Sequence, residues 1–299
     1  MKNIGFIGIG VMGGPMVRNL IKAGFNVCVF DVNPRAMESV VACGALAAVS
    51  PAALARDAEC VITMVTNGSH VEEALFGADG AMTAMRPGTL YIDMSTIAPA
   101  VTDRIAKQVA GRGIAMLDAP VGRTSRHAEE GKSLFIVGGD TDVLDRARPI
   151  LEKLGDTIVH CGPIGSGIRM KIVNNFLAIA TNVATSEALT LAEANGIDPE
   201  LARNLMLGTV AGQGHLSTTY PAKVLKGDLR PGFMVDLVTK DVGIAIDLAN
   251  SLGLHLSMGE TALATYVDAS TNGHARDDWT VIYALARDRL RKKKKQPLG

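Results

Sequence analysis

Residues 3–16 read NIGFIGIGVMGGPM. An apolar run passes into Gly8-Ile9-Gly10-Val11-Met12-Gly13, and the following stretch, GGPMVRNLIKAG, has its apolar residues at helical spacing. Glycines in this pattern allow a tight turn out of a strand and a close approach of backbone to a ligand. The helix N-terminus just beyond offers N–H groups and partial positive charge, which suit a pyrophosphate. The second strand-like run, NVCVFDV, reaches Asp31, eighteen residues past Gly13, where a carboxylate accepts hydrogen bonds from an adenosine ribose. An ordinary surface turn with an exposed Asp is the competing reading. Gly8, Gly10, Val11, Met12, Gly13 and Asp31 are thus the expected cofactor contacts. Asp31 would repel a 2′-phosphate, so NADH is expected over NADPH; Arg35, four residues on, argues the other way.

Outward from this unit, apolar runs alternate with amphipathic segments as far as about residue 162. The strand candidates are NIGFIG, NVCVFDV, ECVITMV, TLYIDMS, AMLDAPV, SLFIVGG and DTIVHC, with helical stretches such as PRAMESVVACG, PAVTDRIAKQVAGRG and TDVLDRARPILEKLG between most of them. Near-continuous apolar strands separated by helices describe an α/β fold, a Rossmann-type doubly wound and mostly parallel sheet covered on both faces. After GPIGSG the texture changes. Residues 168 to about 194 form one long apolar helix, and only helical patterns recur beyond it. The expected organisation is a nucleotide-binding domain over 1–163 and an all-helical domain over 164–299, joined through the long helix.

Composition narrows the function classes. The 299 residues are 47% hydrophobic and 20% charged, with thirty basic residues against thirty acidic ones. That balance argues for neither nucleic acid nor a membrane surface. The basic run Arg291–Lys295 reads as a solvated, frayed tail. Arg169, Lys171, Asn174, Asn175 and Glu187 speak against a membrane span in the long helix. Cys28, Cys43, Cys60 and Cys161 are scattered without metal-ligand spacing, so no metal is expected and a reduced, cytoplasmic setting is the default.

The third and fourth strands end in Met64-Val65-Thr66-Asn67 and Met94-Ser95-Thr96. Ligands of doubly wound sheets lie beyond the carboxyl ends of the strands, so Val65, Asn67 and Thr96 are expected to line the path to the nicotinamide. Ser95 and Thr96 have helix capping before Pro99 as a second reading. On the long helix, Lys171 and Asn175 share a face and Asn174 flanks it. A lysine and two asparagines on an apolar helix need partners. Two readings stand side by side: a structural one, with Lys171 on a carboxylate and the asparagines bridging helices, and a substrate pocket between domains.

Four blocks, IGFIGIGVMGGPM with Asn19, DAPVG…G…GG at 118–139, GSGIRMKIVNN, and MVDLVTKD at 234–241, resemble the β-hydroxyacid dehydrogenase family, which includes 3-hydroxyisobutyrate dehydrogenases. The blocks span nearly the whole chain and occur in the family's order. The resemblance implies a Rossmann domain with a helical domain, commonly assembled as dimers or tetramers. It also implies Lys171 as the catalytic residue, Asn174 and Asn175 as substrate contacts, and Lys240 beside the cofactor. A lysine suits the chemistry, because an aldehyde that accepts hydride gains negative charge on its oxygen, which an ammonium stabilises and protonates.

One stretch departs from the family. Where relatives usually carry Ser-Gly-Gly, a carboxylate-binding turn, this chain has Gly122-Arg123-Thr124. Arg123 brings a rigid fork of donors matched to an oxyanion, and Thr124 and Ser125 add hydroxyls. A short anionic aldehyde is therefore the expected substrate, and a sulfonate, with three acceptor oxygens, would use such a site well. An outward Arg123 paired to Glu129 or Glu130 is the bland alternative. VGRTS, GIRMKIVNN, GQGHLSTTYPAKVLKGDL and RDDWTVI are similar to a branch of the family that reduces a sulfonated aldehyde with NADH, which implies an anion site from Arg123, Asn174 and position 178. Serine is expected there, and this chain has Ala178. Gly212-Gln213-Gly214-His215 is expected to shape a pocket wall, with His215 in a packing or gating role.

Overall fold

The structure, a computed structural model, describes residues 1–194, 196–208, 214, 215, 217, 219–251 and 256–295. Two compact units emerge, Met1–Lys171 and Ile172–Gly299. The division falls inside the long helix, beyond the expected boundary at 163/164, because the first turn of that helix is bonded to the sheet.

The first unit is built on nine strands. β1 (Asn3–Ile7), β2 (Asn26–Phe30), β3 (Leu46–Ala47), β4 (Cys60–Thr63), β5 (Leu90–Asp93) and β6 (Ala115–Asp118) run parallel in the order β3-β2-β1-β4-β5-β6. β7 (Val121–Gly122) and β6 pair antiparallel with β8 (Ser133–Gly138), and β9 (Gly155–Gly162) lies parallel to β8. AMLDAPV, expected as one strand, is two, because Pro120 has no N–H to continue the ladder. β3 is a two-residue edge strand with both residues exposed, inside the short alanine-rich run Ala45–Val49.

Register places Ile7, Phe30, Thr63, Asp93 and Asp118 in line, so the carboxyl ends of five strands open along one edge. Helices α1 (Gly13–Lys22), α2 (Pro34–Val41), α3 (Pro51–Ala55), α4 (Gly68–Phe76), α5 (Pro99–Ala110), α6 (Ser125–Glu129) and α7 (Thr141–Leu151) cover the sheet. One core gathers Phe6, Ile62 and Ile92 with Met16, Leu20 and Leu144. The other gathers Val61 and Tyr91 with Leu75, Ile105 and Val109. Alternate strand residues thus enter separate cores, and each fully buried Ile, Leu or Phe contributes about 1.5–3 kcal/mol.

α8 (Ser166–Ala194) begins in the first unit and continues into the second. α9 (Pro199–Leu207), α10 (Thr219–Ala222), α11 (Val235–Ser251), α12 (Ser257–Ala269) and α13 (Val281–Lys295) follow. Ile179 and Val183 of α8 pack with Val235, Val238, Val242, Tyr266 and Val281. Asp198 caps α9 by accepting from the N–H groups of Glu200 and Leu201. Asp278 is a buried knot instead: it accepts from Lys223 Nζ, Gly232 N and the Thr280 hydroxyl. The backbone of the basic run 291–295, expected as a frayed tail, forms the last turn of α13. No helix among the described residues is long and apolar enough to cross a membrane.

Candidate active site

The glycine loop between β1 and α1 carries its three glycines for three separate reasons. Gly8 has φ 100°, and a Cβ there would collide with the carbonyl of Met64. A Cβ on Gly13 would strike the carbonyl of Gly8, so this glycine lets α1 pack down onto β1. A Cβ on Gly10 would meet nothing within 4 Å, and Val11 beside it is 64% exposed. The backbone of the loop therefore borders open space, and α1 starts without a side-chain cap. That is a cradle fitted to a pyrophosphate. Asp31 accepts from Ile9 N at 2.7 Å through Oδ2 and from Asn33 N at 2.8 Å through Oδ1. It braces the loop, and each carboxylate oxygen keeps a lone pair for a ribose hydroxyl. These residues fit a dinucleotide.

Beyond β4 and β5 the strand ends are tied by a buried polar chain. Thr63 Oγ1 donates to Asp93 Oδ1 at 2.9 Å, so Tyr91 Oη, 2.7 Å from the same Oγ1, is the donor there. Ser95 N also donates to Asp93, and Ser95 Oγ accepts from Val65 N at 3.0 Å. Ser95 thus braces the Val65 loop and does not cap α5, whose N-cap is Ala98, without a side-chain bond. Asn67 Oδ1 is the N-cap of α4, accepting from His70 N at 2.9 Å and from the Ser69 hydroxyl at 2.8 Å. Thr96 is half-buried next to Ser95.

Burial pushes the carboxyls of Asp93 and Asp118 up to about 6, against the pull of the hydrogen bonds each accepts. Between about pH 4 and 6 the native chain therefore holds protons that the unfolded chain releases, and stability falls as pH rises through that window. In Asp93→Asn one of these protons is gone. Its unfolding free energy, from urea titration, should fall by about 1.4 kcal/mol less per pH unit than that of the unaltered chain. Parallel curves for the two proteins from pH 4 to 6 would refute the assignment.

On α8, Lys171 and Asn175 lie one turn apart and both are buried, whereas Asn174 is exposed. Asn175 Nδ2 donates to Asp241 Oδ2 on α11 at 2.6 Å, and Lys240 Nζ lies 3.0 Å from Asp241 Oδ1. Asp241 is itself buried. One carboxylate therefore holds both the expected substrate contact Asn175 and the expected cofactor neighbour Lys240. Sequence reasoning did not single it out, although it ends the quoted block MVDLVTKD. The asparagine does bridge helices, as the structural reading had it. Asn174 Nδ2 approaches Asn175 Oδ1 at 3.5 Å, which leaves Asn175 Nδ2 facing the carboxylate.

His215 is not placed as a base. Its Nε2 lies 2.6 Å from the carbonyl of Ala178 and its Nδ1 lies 3.2 Å from Thr219 Oγ1, so the neutral ring donates from Nε2 and accepts at Nδ1. Burial lowers its pKa, and Trp279 packs edge-on at 5.0 Å. Gly212 and Gln213 lie outside the described residues.

Arg123 has φ 68° and is the one non-glycine residue with positive φ among the described residues. The glycine that the resemblance implies at this position would avoid a cost, since the left-handed region costs about 1–2 kcal/mol for a residue with a Cβ. Its Nη1 donates to Asp156 Oδ1 at 2.6 Å and to the carbonyl of Lys132 at 2.5 Å, and its Nη2 to Thr157 Oγ1 at 3.2 Å. The partner is thus neither Glu129 nor Glu130; Glu130 is taken by Arg126 and Lys132. The Thr157 hydroxyl and Arg123 together hold the Asp156 carboxyl below its ordinary range. Thr124, at the head of α6, has its hydroxyl 3.0 Å from His127 Nδ1.

Comparison with known proteins matches both units. The NAD binding domain of 6-phosphogluconate dehydrogenase covers residues 3–162, and the NAD-binding domain of NADP-dependent 3-hydroxyisobutyrate dehydrogenase covers 165–286. The chain belongs to the β-hydroxyacid dehydrogenase family. It is a nicotinamide-dependent oxidoreductase of that family. Among its relatives is a 3-sulfolactaldehyde reductase from Escherichia coli, 43% identical over 96% of each chain. Another is an NAD-dependent L-serine dehydrogenase from Pseudomonas aeruginosa, 38% identical over 95% of this chain and 98% of the relative. A 3-hydroxyisobutyrate dehydrogenase structure from Mycobacterium tuberculosis superposes with a TM-score of 0.88, at 33% identity over 96% of this chain and 99% of that one.

Proposed function

We propose that this β-hydroxyacid dehydrogenase reduces a short anionic aldehyde with NADH, and that 3-sulfolactaldehyde, reduced to 2,3-dihydroxypropane-1-sulfonate in sulfoglycolysis, is its substrate. The observation that carries the substrate class is Arg123. A long cation occupies the one strained non-glycine position among the described residues, on the turn that follows the β6–β7 edge. Strain of this kind clusters at ligand and active sites. Nε and the second Nη2 hydrogen have no protein partner among the described residues, so one edge of the guanidinium is left for an oxyanion. The similarity to 3-sulfolactaldehyde reductase supports the sulfonate in particular.

The cofactor would rest on Gly8, Gly10, Val11, Met12, Gly13 and Asp31, with Val65, Asn67, Thr96 and Lys240 beyond. When bound, its nicotinamide supplies hydride. Lys171 then gives its ammonium proton to the aldehyde oxygen, and in alcohol oxidation the neutral amine takes that proton back. Asn174 and Asn175 orient the substrate, and Arg123 and Thr124 hold its anionic end. Asp31 favours NADH by repelling a 2′-phosphate; Arg35, whose guanidinium has no protein partner among the described residues, is the one group that favours NADPH. An exposed apolar stripe on α8, Met170, Val173 and Leu177, supports a homo-oligomer, dimer or tetramer.

A second reading keeps the chemistry and changes the substrate to succinic, tartronate or methylmalonate semialdehyde. Ala178 favours it, since alanine removes the hydroxyl expected at that position of a sulfonate site. Steady-state kcat/KM for 3-sulfolactaldehyde and the three carboxylates, each with NADH and with NADPH, separates the two. The sulfonate with NADH is expected to lead by more than tenfold, about 1.4 kcal/mol. A carboxylate leading by that margin reverses the assignment.

A further inference from the structure

α8 begins with a glycine where a helix usually carries its cap. Arg169 N donates to the carbonyl of Gly165, so Gly165 is the N-cap, with φ 86° and no side chain to offer. In the common solution a Ser, Thr or Asp at this position accepts from the N–H three residues on, and a Glu there returns the bond to the cap's own N–H. Here both bonds go to one distant side chain. Asp118, at the end of β6, accepts from Gly165 N through Oδ1 and from Ile168 N through Oδ2, each at 2.6 Å. It is 1% exposed.

The surroundings are shaped for this contact. A Cβ on Gly138 would collide with Asp118 Oδ1 and crowd the N–H groups of Ser166 and Gly167. A Cβ on Gly167 would strike the carbonyl of Ile136 and crowd Gly138 N and the Asp118 carbonyl. These two glycines, one from DAPVG…GG and one from GSG, let the head of α8 descend onto the ends of β6 and β8. Arg169 holds the same turn from another side, through a two-pronged pair with Asp103 at 2.8 and 3.1 Å. Lys171 is the third residue after Ile168, less than one turn further along the helix.

We infer that Asp118 is a positioning residue for Lys171: its carboxylate replaces the missing cap and fixes the height and rotation of the helical turn that carries the lysine. The inference rests on the proposed role of Lys171 as proton donor. A charged acceptor facing two N–H groups at the positive end of a helix is stronger than a neutral one. A catalytic group displaced by a fraction of an ångström loses rate while binding elsewhere is untouched.

Asp118→Asn keeps the shape and one acceptor, and removes the charge and the second acceptor. With whichever aldehyde turns over best, kcat should fall by about tenfold or more while NADH affinity, read by fluorescence titration, stays within about twofold. Amide hydrogen exchange over residues 165–171 should quicken by about tenfold or more. Asp118→Ala should do the same more severely; if it fails to fold, the asparagine variant decides alone. Faster exchange with unchanged kcat would reduce Asp118 to a stabilising cap and overturn the inference. A lower kcat with unchanged exchange would overturn it too, because the effect would not pass through the turn. Should the unaltered protein reduce no aldehyde at all, the reading of Lys171 fails by itself. Exchange then judges Asp118: unchanged rates refute the clamp, and faster rates uphold it.

Discussion

Lys171→Ala should bring aldehyde reduction nearly to a halt, with kcat lower by about 10²–10⁴-fold, the range for loss of a positioned general acid. The groups that hold the cofactor are untouched by this change, so NADH should still bind with unchanged affinity. Two companions make the test specific. Lys171→Met keeps the length and apolar stem in a buried position and should be as inactive as alanine. Lys171→Arg keeps the positive charge but cannot give up its proton, with a pKa above about 12. If stabilising the developing charge were the whole contribution, arginine would recover most of the rate. If delivering the proton dominates, it recovers little, and that is the expected result. An alanine variant that keeps more than about a tenth of the wild-type kcat would remove Lys171 from the chemistry.

The fold was legible because its signals are periodic and local. The alternation of apolar runs with amphipathic helices, and the glycine loop followed at the right distance by Asp31, each express a rule about a few neighbouring residues. What escaped was pairing across the chain. Nothing near Asp118 in sequence marks it as the cap of a helix that starts some fifty positions later, and nothing near Asp241 marks it as the acceptor of Asn175. Likewise the place of Asn67 at a strand end points to a ligand contact, and nothing beside it in sequence shows that its Oδ1 also caps α4. Both roles draw on the same polar residue type, so type and position alone do not separate them.

Arg123 shows the same limit more sharply. From composition the guanidinium had three destinations, a ligand, Glu129/Glu130, or water; it found Asp156, Thr157 and the carbonyl of Lys132. The partners come from the start of β9 and the residue before β8, strands whose parallel pairing brings them to the turn. The positive φ was equally hidden, because a left-handed residue with a Cβ leaves no compositional trace.

That φ makes Arg123→Gly informative, since stability and activity should separate. Removing the Cβ relieves about 1–2 kcal/mol of backbone strain. Against this stand the loss of a partly exposed ion pair, about 0–1 kcal/mol, and the extra freedom of glycine in the unfolded chain, about 0.5–1 kcal/mol. The terms nearly cancel, so the midpoint of unfolding should barely move. Arg123→Ala keeps the strain and loses the pair, and should be less stable than the glycine variant by about 1 kcal/mol. Activity should follow the guanidinium instead. A charge-assisted hydrogen bond contributes about 1.5–3 kcal/mol, so both variants should lose roughly ten- to a hundredfold in kcat/KM for the sulfonate aldehyde, mostly through KM. NADH affinity should hold. If the glycine variant, folded as well as its parent, reduces sulfonate and carboxylate aldehydes with undiminished kcat/KM, then Arg123 is only a surface strut to Asp156. The anionic end of the substrate must then be held by other groups.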